Sequence, residues 1–353
     1  MYPLVRVNKK HLLENVHTVT ELCAARNMAV TGVTKVFGGD PEIAAVYVAG
    51  GITRLGDSRV ENLKLLKGLA AEKWLIRPPM MSEVDDLVTY ADASLNSELA
   101  TIQAINGAAI AKGKVHKVIL MVDLGDIREG FIDHDELVGA ALETEKMKGV
   151  HLYGIGVNLT CFSFIQSDSE KMTALMELSK TIGETIGREL EVVSGGNSAT
   201  LDLMMKGGIS EGVNNLRLGE SLLFGKERAN YTFLPGTHKD VFTLECEIVE
   251  LKEKPSVPWG TVGVDSYGNS PAFTDRGTRL KVICALGKQD FDVETSTPVD
   301  KDIIILGASS DHLMLDVTDS NKSYKVGDTI ELQLGYFSTM RAFTSRYVRK
   351  VYV

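Results

Sequence analysis

The chain has 353 residues, of which 44% are hydrophobic and 24% charged, and a formal net charge of −9. This composition is typical of a globular protein with a large core, and its acidity argues against nucleic-acid and anionic-membrane partners. There is neither an apolar N-terminal signal segment nor a run of about 18 apolar residues, so we expect a cytoplasmic protein without a membrane span. The four cysteines form no CxxC pair, so we expect reduced thiols and no metal site.

Short apolar runs alternate with longer amphipathic segments through the first two-thirds of the chain. Eight such runs lie at 29–34, 52–57, 73–77, 91–96, 115–125, 150–158, 190–196 and 214–219. Strands that alternate with helices predict a parallel sheet, and eight units close naturally into a (β/α)8 TIM barrel. A doubly wound open sheet is the alternative. For the helix after the fourth run, Asn96 and Ser97 are the expected N-cap residues.

The character of the sequence changes after residue 232. Five β-type segments follow, separated by turn clusters and without a long helical period, at 241–252, 278–286, 302–308, 312–318 and 329–334. We therefore expect an α/β barrel domain at 1–232 and a C-terminal all-β domain at 233–353.

Polar residues stand where the eight predicted strands end, which is the face on which barrels of this class form their active sites. They are Lys35, Arg77, Asn96, Asp123, Arg128, Asn158, Thr160, the segment 194–198, Arg217 and Gly219. Lys35 directly follows an apolar strand. A lysine that points into a barrel mouth is desolvated, which lowers its pKa and makes it a nucleophile toward aldehydes.

Two glycine-containing turns follow the seventh and eighth predicted strands, at 194–198 and 217–220. Barrels frequently bind phosphate groups with these two loops, through backbone N–H groups and nearby hydroxyls. We expect an anion site that includes Ser198 and the backbone near Gly219 and Glu220.

Four segments in the barrel region resemble the motifs of the alanine racemase superfamily, the fold-type III pyridoxal-phosphate enzymes. They are AVTGVTKVFGG, LMVDLGDIREG, SGGNSA and LRLGESLLFG, in the order of that family. In the β region, DSYGN, ALGKQD and GASSDH follow the same order more weakly. The phrases GVTKVFGGDPEIA and GVNLTCF are similar to the alanine/ornithine racemase subgroup, and to its ornithine racemases most of all.

The resemblance implies an isomerase that interconverts L- and D-ornithine by two-base proton transfer at Cα. It implies that pyridoxal 5'-phosphate is bound by Lys35, Asn197, Ser198, Arg217, Gly219 and Glu220. Arg128 matches the residue that binds the substrate carboxylate, and Arg217 the residue that faces the cofactor ring nitrogen. The family also implies a head-to-tail homodimer with shared active sites.

The chain departs from the family pattern at three positions. Met121 stands where alanine racemases have a modified lysine that supports the substrate-binding arginine, and Phe37 follows the cofactor lysine where they have a tyrosine nearby. Lys288 stands where they have the tyrosine that acts as the second base. Lys35 and Lys288 are therefore the expected catalytic pair, with Tyr267 in reserve.

Four acidic residues are candidates for binding the side chain of the substrate. A basic substrate requires an acidic partner; Asp126, Glu129, Asp290 and Asp311 are candidates, and Asp311 is the expected substrate ligand. The alternative functions are a broad-specificity alanine, serine and lysine racemase, a non-catalytic pyridoxal-phosphate carrier, and an aldolase or decarboxylase on the same scaffold.

Overall fold

A computed structural model describes residues 1–264, 268 and 272–353. The chain divides into two compact units, one formed by Lys9–Val241 and the other by Met1–Asn8 together with Phe242–Val353. This division differs from the expected division into 1–232 and 233–353 in two places, at the N-terminus of the chain and at the junction between the two units. The N-terminal strand β1 (Leu4–Val7) pairs with two strands of the second unit, and residues 233–241 belong to the first.

The first unit is a closed barrel of eight parallel strands, so the open sheet is excluded and the TIM-barrel prediction is confirmed. The strands are β2 (Ala29–Val33), β3 (Arg54–Asp57), β4 (Glu72–Leu75), β5 (Ala93–Asn96), β6 (His116–Val122), β7 (Val150–Val157), β8 (Val192–Ser194) and β9 (Asn215–Leu218). The helices are α1 (Lys9–Ala24), α2 (Pro41–Ala49), α3 (Val60–Leu65), α4 (Val84–Tyr90), α5 (Leu99–Ala111), α6 (His134–Glu145), α7 (Ser169–Ile186), α8 (Leu201–Met205) and α9 (Glu220–Phe224). Short 3-10 turns lie at Lys35–Phe37, Met81–Glu83 and Ser198–Thr200.

The barrel strands are buried on both faces, because helices cover the outside and side chains fill the inside. Every residue of β5 and of β9 is buried. One core cluster groups Trp74, Leu95, Ile119 and Met121, together with neighbours from adjacent strands. Met121, which stands at the family's modified-lysine position, is thus part of the apolar core.

Local sequence explains where the helices begin. Asp40 is the N-cap of α2, and its carboxylate accepts hydrogen bonds from the backbone N–H groups of Glu42 and Ile43. The expectation for α5 was wrong, because α5 has Glu98 at its N-cap position. Asn96 instead ends β5, where its Nδ2 donates to the carbonyl and the hydroxyl of Ser94.

The second unit is built on an eight-stranded sheet formed by β1 and the strands after residue 241. These are β10 (Phe242–Pro255), β11 (Thr278–Cys284), β12 (Ser296–Pro298), β13 (Ile304–Ala308), β14 (Leu313–Asp316), β15 (Thr329–Leu334) and β16 (Arg349–Tyr352). The unit also contains a helix, α10 (Tyr336–Thr344), so the all-β expectation missed one element. No helix in the described part of the chain is long and apolar enough to cross a membrane.

Candidate active site

Lys35 lies at the carboxyl end of β2, as the first residue of the 3-10 turn Lys35–Phe37. The residue is partly buried, and the two that follow it, Val36 and Phe37, are fully buried. Within the described residues, the Lys35 Nζ has no hydrogen-bond or salt-bridge partner. The buried neighbours fix the backbone at this strand end, while the ammonium group stays available for chemistry.

A buried pair beside Lys35 was missed by the sequence reasoning. The Thr34 hydroxyl donates to the Asp57 carboxylate at 2.5 Å, and both residues are completely buried. Asp57 also accepts from the Arg59 N–H at 2.9 Å and from Asn62 Nδ2 at 3.0 Å. Burial raises the pKa of Asp57, although these hydrogen bonds act to lower it. The available signal was its place at the end of an apolar run, a criterion applied to the other strand ends.

Arg217 reaches across the barrel interior from β9. Its Nη1 donates to the Ser194 hydroxyl on β8 at 2.5 Å, and its Nη2 donates to the Val157 carbonyl on β7 at 2.8 Å. Burial lowers the pKa of Arg217 to about 10. At neutral pH the guanidinium is therefore still protonated and can only donate hydrogen bonds.

Two asparagines at the carboxyl ends of barrel strands carry buried polar atoms without partners. Among the residues that the structure describes, the Asn96 Oδ1 and the Asn158 Nδ2 have no hydrogen-bond partner. A buried acceptor and a buried donor left unpaired cost free energy, so such groups at a strand-end face are typical of a binding site.

The two turns after β8 and β9 lie side by side. The Ser198 and Ser221 hydroxyl oxygens are 3.2 Å apart, and the Ser221 N–H donates to Ser198 Oγ at 3.3 Å. The first turn requires Gly196, whose φ of 122° suits glycine and whose added Cβ would lie 2.5 Å from the Thr200 hydroxyl oxygen. The structure thus brings together the turns that the sequence predicted to form an anion site.

Asn197 and Glu220 flank this pair of turns. The Asn197 Oδ1 caps the 3-10 turn by accepting from the Ala199 N–H at 2.9 Å. The Glu220 carboxylate is buried and lies 3.4 Å from both the Lys226 ammonium and the Arg228 guanidinium. One carboxylate between two cations leaves an excess positive charge beside the turns.

Arg128 lies on the loop after β6, next to the residue that orients it. Its Nε and Nη2 both pair with the Glu129 carboxylate. The Arg128 side chain is 38% exposed, whereas that of Glu129 is only 13% exposed. The pairing occupies the Nε–Nη2 edge of the guanidinium, and the Nη1 end remains to meet a second carboxylate.

Three other strand-end residues stabilise loops. Arg77 pairs with Glu83 at 2.8 Å. Asp123 accepts from the backbone N–H groups of Gly125, Ile127 and Arg128, and the Thr160 hydroxyl donates to the Ile165 carbonyl. They shape the barrel mouth rather than present free groups to a ligand.

The site residues predicted from the β region lie in the second unit. Lys288 is exposed on the loop between β11 and β12, and Asp311 is exposed between β13 and β14. The Asp311 carboxylate accepts from Gln289 Nε2 and from the Ser310 hydroxyl. Tyr267, the reserve second base, lies outside the described residues.

Comparison with known proteins agrees with the family resemblance of the sequence motifs and extends over the whole chain. Residues 7–227 match the model of the alanine racemase N-terminal domain. The chain is 43% identical over 350 residues to an ornithine racemase from Acetoanaerobium sticklandii, covering 99% of both sequences. It is 37% identical to a lysine racemase from Thermotoga maritima, covering 100% of this chain and 99% of that one.

The chain belongs to the alanine racemase family. Solved structures agree with its fold: an alanine racemase from Clostridium difficile matches with a TM-score of 0.74 at 18% identity, covering 100% of this chain and 96% of that chain. A D-threonine aldolase from Filomicrobium marinum matches with a TM-score of 0.71 at 14% identity, covering 97% and 88%. The family match spans Lys35, Arg128 and Arg217, whereas Lys288 and Asp311 lie beyond it.

Proposed function

We propose that this alanine racemase family member is a pyridoxal-phosphate-dependent racemase that interconverts L- and D-ornithine. The observation that carries the proposal is 43% identity to an ornithine racemase along 99% of the chain. The arrangement of Lys35, Arg217 and the two adjacent turns around one barrel mouth supports it, because each group suits a different part of the cofactor.

The residues of the barrel mouth fit pyridoxal 5'-phosphate. Among the described residues the Lys35 side chain has no partner, so its amino group is available for covalent attachment in the neutral amine form, and Asn96 and Asn158 have buried polar atoms in need of partners. We propose that Asn197, Ser198 and the backbone at Gly219 and Glu220 hold the phosphate. When bound, the cofactor supplies a conjugated ring that delocalises the electron pair left at Cα after proton removal.

Arg217 is proposed to face the ring nitrogen. A protonated guanidinium cannot accept a hydrogen bond, so a nitrogen that faces it must be an unprotonated acceptor. With the cofactor bound, Arg217 would thus keep the ring nitrogen unprotonated, which would moderate electron withdrawal by the ring and favour return of the proton to Cα. The hydrogen bonds to Ser194 and Val157 hold the guanidinium in place.

Arg128 is proposed to bind the substrate carboxylate. The Glu129 carboxylate holds one edge of the guanidinium, which fixes the direction of the remaining donors. A fixed carboxylate in turn determines which face of Cα lies toward Lys35. Glu129 is thus a positioning residue for the substrate.

Racemisation requires a proton carrier on each face of Cα. We propose Lys35 for one face and Lys288 of the partner subunit for the other, in a head-to-tail homodimer with shared active sites.

Asp311 is the proposed ligand of the substrate side-chain ammonium. Its exposure supports this choice, since Asp126 and Asp290 are buried, whereas the Asp311 carboxylate is exposed although it accepts hydrogen bonds from Gln289 and Ser310.

A racemase that prefers lysine is the second candidate, supported by 37% identity to the Thermotoga maritima enzyme. Ornithine and lysine differ by one methylene group, which a pocket discriminates by only about 1–3 kcal/mol. The carrier function receives no such support, because both racemase relatives match the β unit as well as the barrel.

The test is a racemase assay with added pyridoxal phosphate and L-ornithine, L-lysine, L-alanine and L-serine in parallel, followed by chiral chromatography. We expect the highest kcat/KM for ornithine and no activity for the Lys35→Ala variant. A preference for alanine or serine would contradict the assignment of a basic substrate.

A further inference from the structure

Two histidines and two carboxylates meet at the start of α1, apart from every residue assigned above. His11 and Glu14 lie on one face of α1, and His238 and Asp240 lie on the segment that ends the barrel unit. The His11 Nδ1 is 2.8 Å from an Asp240 carboxylate oxygen, and the His238 Nε2 is 2.5 Å from a Glu14 carboxylate oxygen. The two imidazole rings stack with centroids 4.0 Å apart.

We propose that this cluster is a binding site for a divalent transition-metal cation of the zinc type. Imidazole nitrogens and carboxylate oxygens are ordinary ligands of zinc. Two neutral imidazoles and two carboxylates together neutralise one dication. The site has no part in the racemase chemistry proposed above; it clamps the first turn of α1 to the segment 238–240.

Three of the proposed ligand atoms already lie near one another. Ligand atoms of His11, His238 and Asp240 lie within 4.8 Å of one another. Tetrahedral zinc with bonds of about 2.0–2.1 Å places its ligand atoms about 3.4 Å apart, so the side chains must close by about 1.4 Å at most. Because the two rings are stacked at 8° and a metal lies in the plane of each imidazole it binds, at least one ring must also turn before both can bind one ion. The His11 and His238 side chains are 26% and 33% exposed, which leaves them free to turn, and Glu14, which contacts His238, would be the fourth ligand.

The backbone under the cluster is already fixed. Asn15, completely buried on α1, accepts from the His238 N–H at 2.6 Å and donates to the His238 carbonyl at 3.0 Å. This pair of hydrogen bonds holds His238 against the helix that carries His11. The position of the His238 backbone relative to His11 is therefore set before any ion binds.

Nearby charge favours a cation only modestly. The Lys10 ammonium lies 4.0 Å from the Glu14 carboxylate, where it competes with a metal ion. Both Lys10 and Glu14 have exposed side chains, so solvent screens this competition. The Asp240 carboxylate is 60% exposed and contacts His11. A bound metal ion would replace the hydrogen between these two groups.

Zinc binding to the untagged, chelator-treated full-length chain tests the proposal. We expect calorimetry with Zn²⁺ alone to give one ion per chain with a dissociation constant below about 10 µM. An excess of about a hundredfold over that constant should raise the Tm by about 3 °C or more. Co²⁺ bound in its place should give visible absorption bands typical of nitrogen and oxygen ligands.

Variants and matched controls locate the site. His11→Asn and His238→Asn should each weaken Zn²⁺ binding at least tenfold, and Asp240→Asn, an exposed substitution that leaves folding intact, should weaken it as well. His151→Asn removes a histidine that pairs with Glu191 at 2.9 Å but has no second histidine beside it, and Cys161→Ser removes the exposed thiol; both should bind as the parent does. Absence of binding up to about 100 µM Zn²⁺, or binding that the Asp240 and histidine variants leave unchanged, would overturn the proposal.

Discussion

Replacement of Glu129 by Gln tests how the substrate carboxylate is oriented. Glutamine keeps the size of the side chain and one acceptor but removes the charge that holds the Nε–Nη2 edge of Arg128. The Glu129 side chain is 13% exposed. We therefore expect the free-energy cost of disrupting its ion pair with Arg128 to lie between that of surface pairs, at most about 1 kcal/mol, and that of buried pairs, about 3–5 kcal/mol. A loss of about 1–2 kcal/mol in substrate binding corresponds to a rise in KM of roughly 5- to 30-fold.

The kinetic pattern separates orientation from chemistry. Arg128 holds the carboxylate in both the ground state and the transition state, so KM should rise while kcat changes less than about threefold. Glu143→Gln is the matched control, because Glu143 pairs with Lys146 at 2.7 Å on the exposed face of α6 and should leave both constants unchanged. An unchanged KM for Glu129→Gln would remove Glu129 from substrate positioning, and a lowered KM would show that it competes with the substrate.

Three further predictions concern assembly and the buried polar groups. Lys35→Ala and Lys288→Ala chains should each be nearly inactive alone, but a mixed dimer has one intact site of two, so co-expression should recover activity toward about half per mixed dimer; no recovery would argue against shared sites. Tyr47→Phe removes a buried hydroxyl that has no hydrogen-bond partner among the described residues, so urea denaturation should show unchanged stability or a gain of up to about 1 kcal/mol, and a clear loss would mean that the hydroxyl has a partner in solution. Burial raises the pKa of Asp57 above its ordinary value of 3.8, so the ionised carboxylate costs stability as the pH rises through the folded-state pKa. The stability of Asp57→Asn relative to the parent should therefore increase as the pH rises above about 4, measured by denaturation at several pH values, and the opposite slope would refute the desolvation argument.

The barrel could be predicted because each of its units is local. Every apolar run is a buried strand and each is followed by its own helix, so the pattern repeats without reference to distant residues. The strand ends then identified most of the candidate site, since parallel strands bring their carboxyl ends to one face. Lys35, Ser198, Arg217 and Gly219 stand at that face in the structure.

Features that depend on distant pairing were missed. Strand β1 reads as a leading segment of the barrel, yet it pairs with β10 and β16, more than two hundred positions away. The cluster of His11 and His238 has the same origin, because no spacing motif joins residues so far apart in the chain. Asp57 was missed for a different reason: it ends an apolar run like the other candidates, but the burial and the hydrogen bond from Thr34 that set it apart are visible only in the structure.

Racemisation of ornithine in D₂O tests the central claim most directly. The enzyme loaded with pyridoxal phosphate should take pure L-ornithine and pure D-ornithine to the same equal mixture, with loss of optical rotation and one deuterium incorporated at Cα. The Lys35→Ala variant should do neither and should retain no borohydride-reducible bond to the cofactor. Retention of optical purity by the loaded wild-type enzyme with both ornithine and lysine, or full activity without Lys35, would contradict the account.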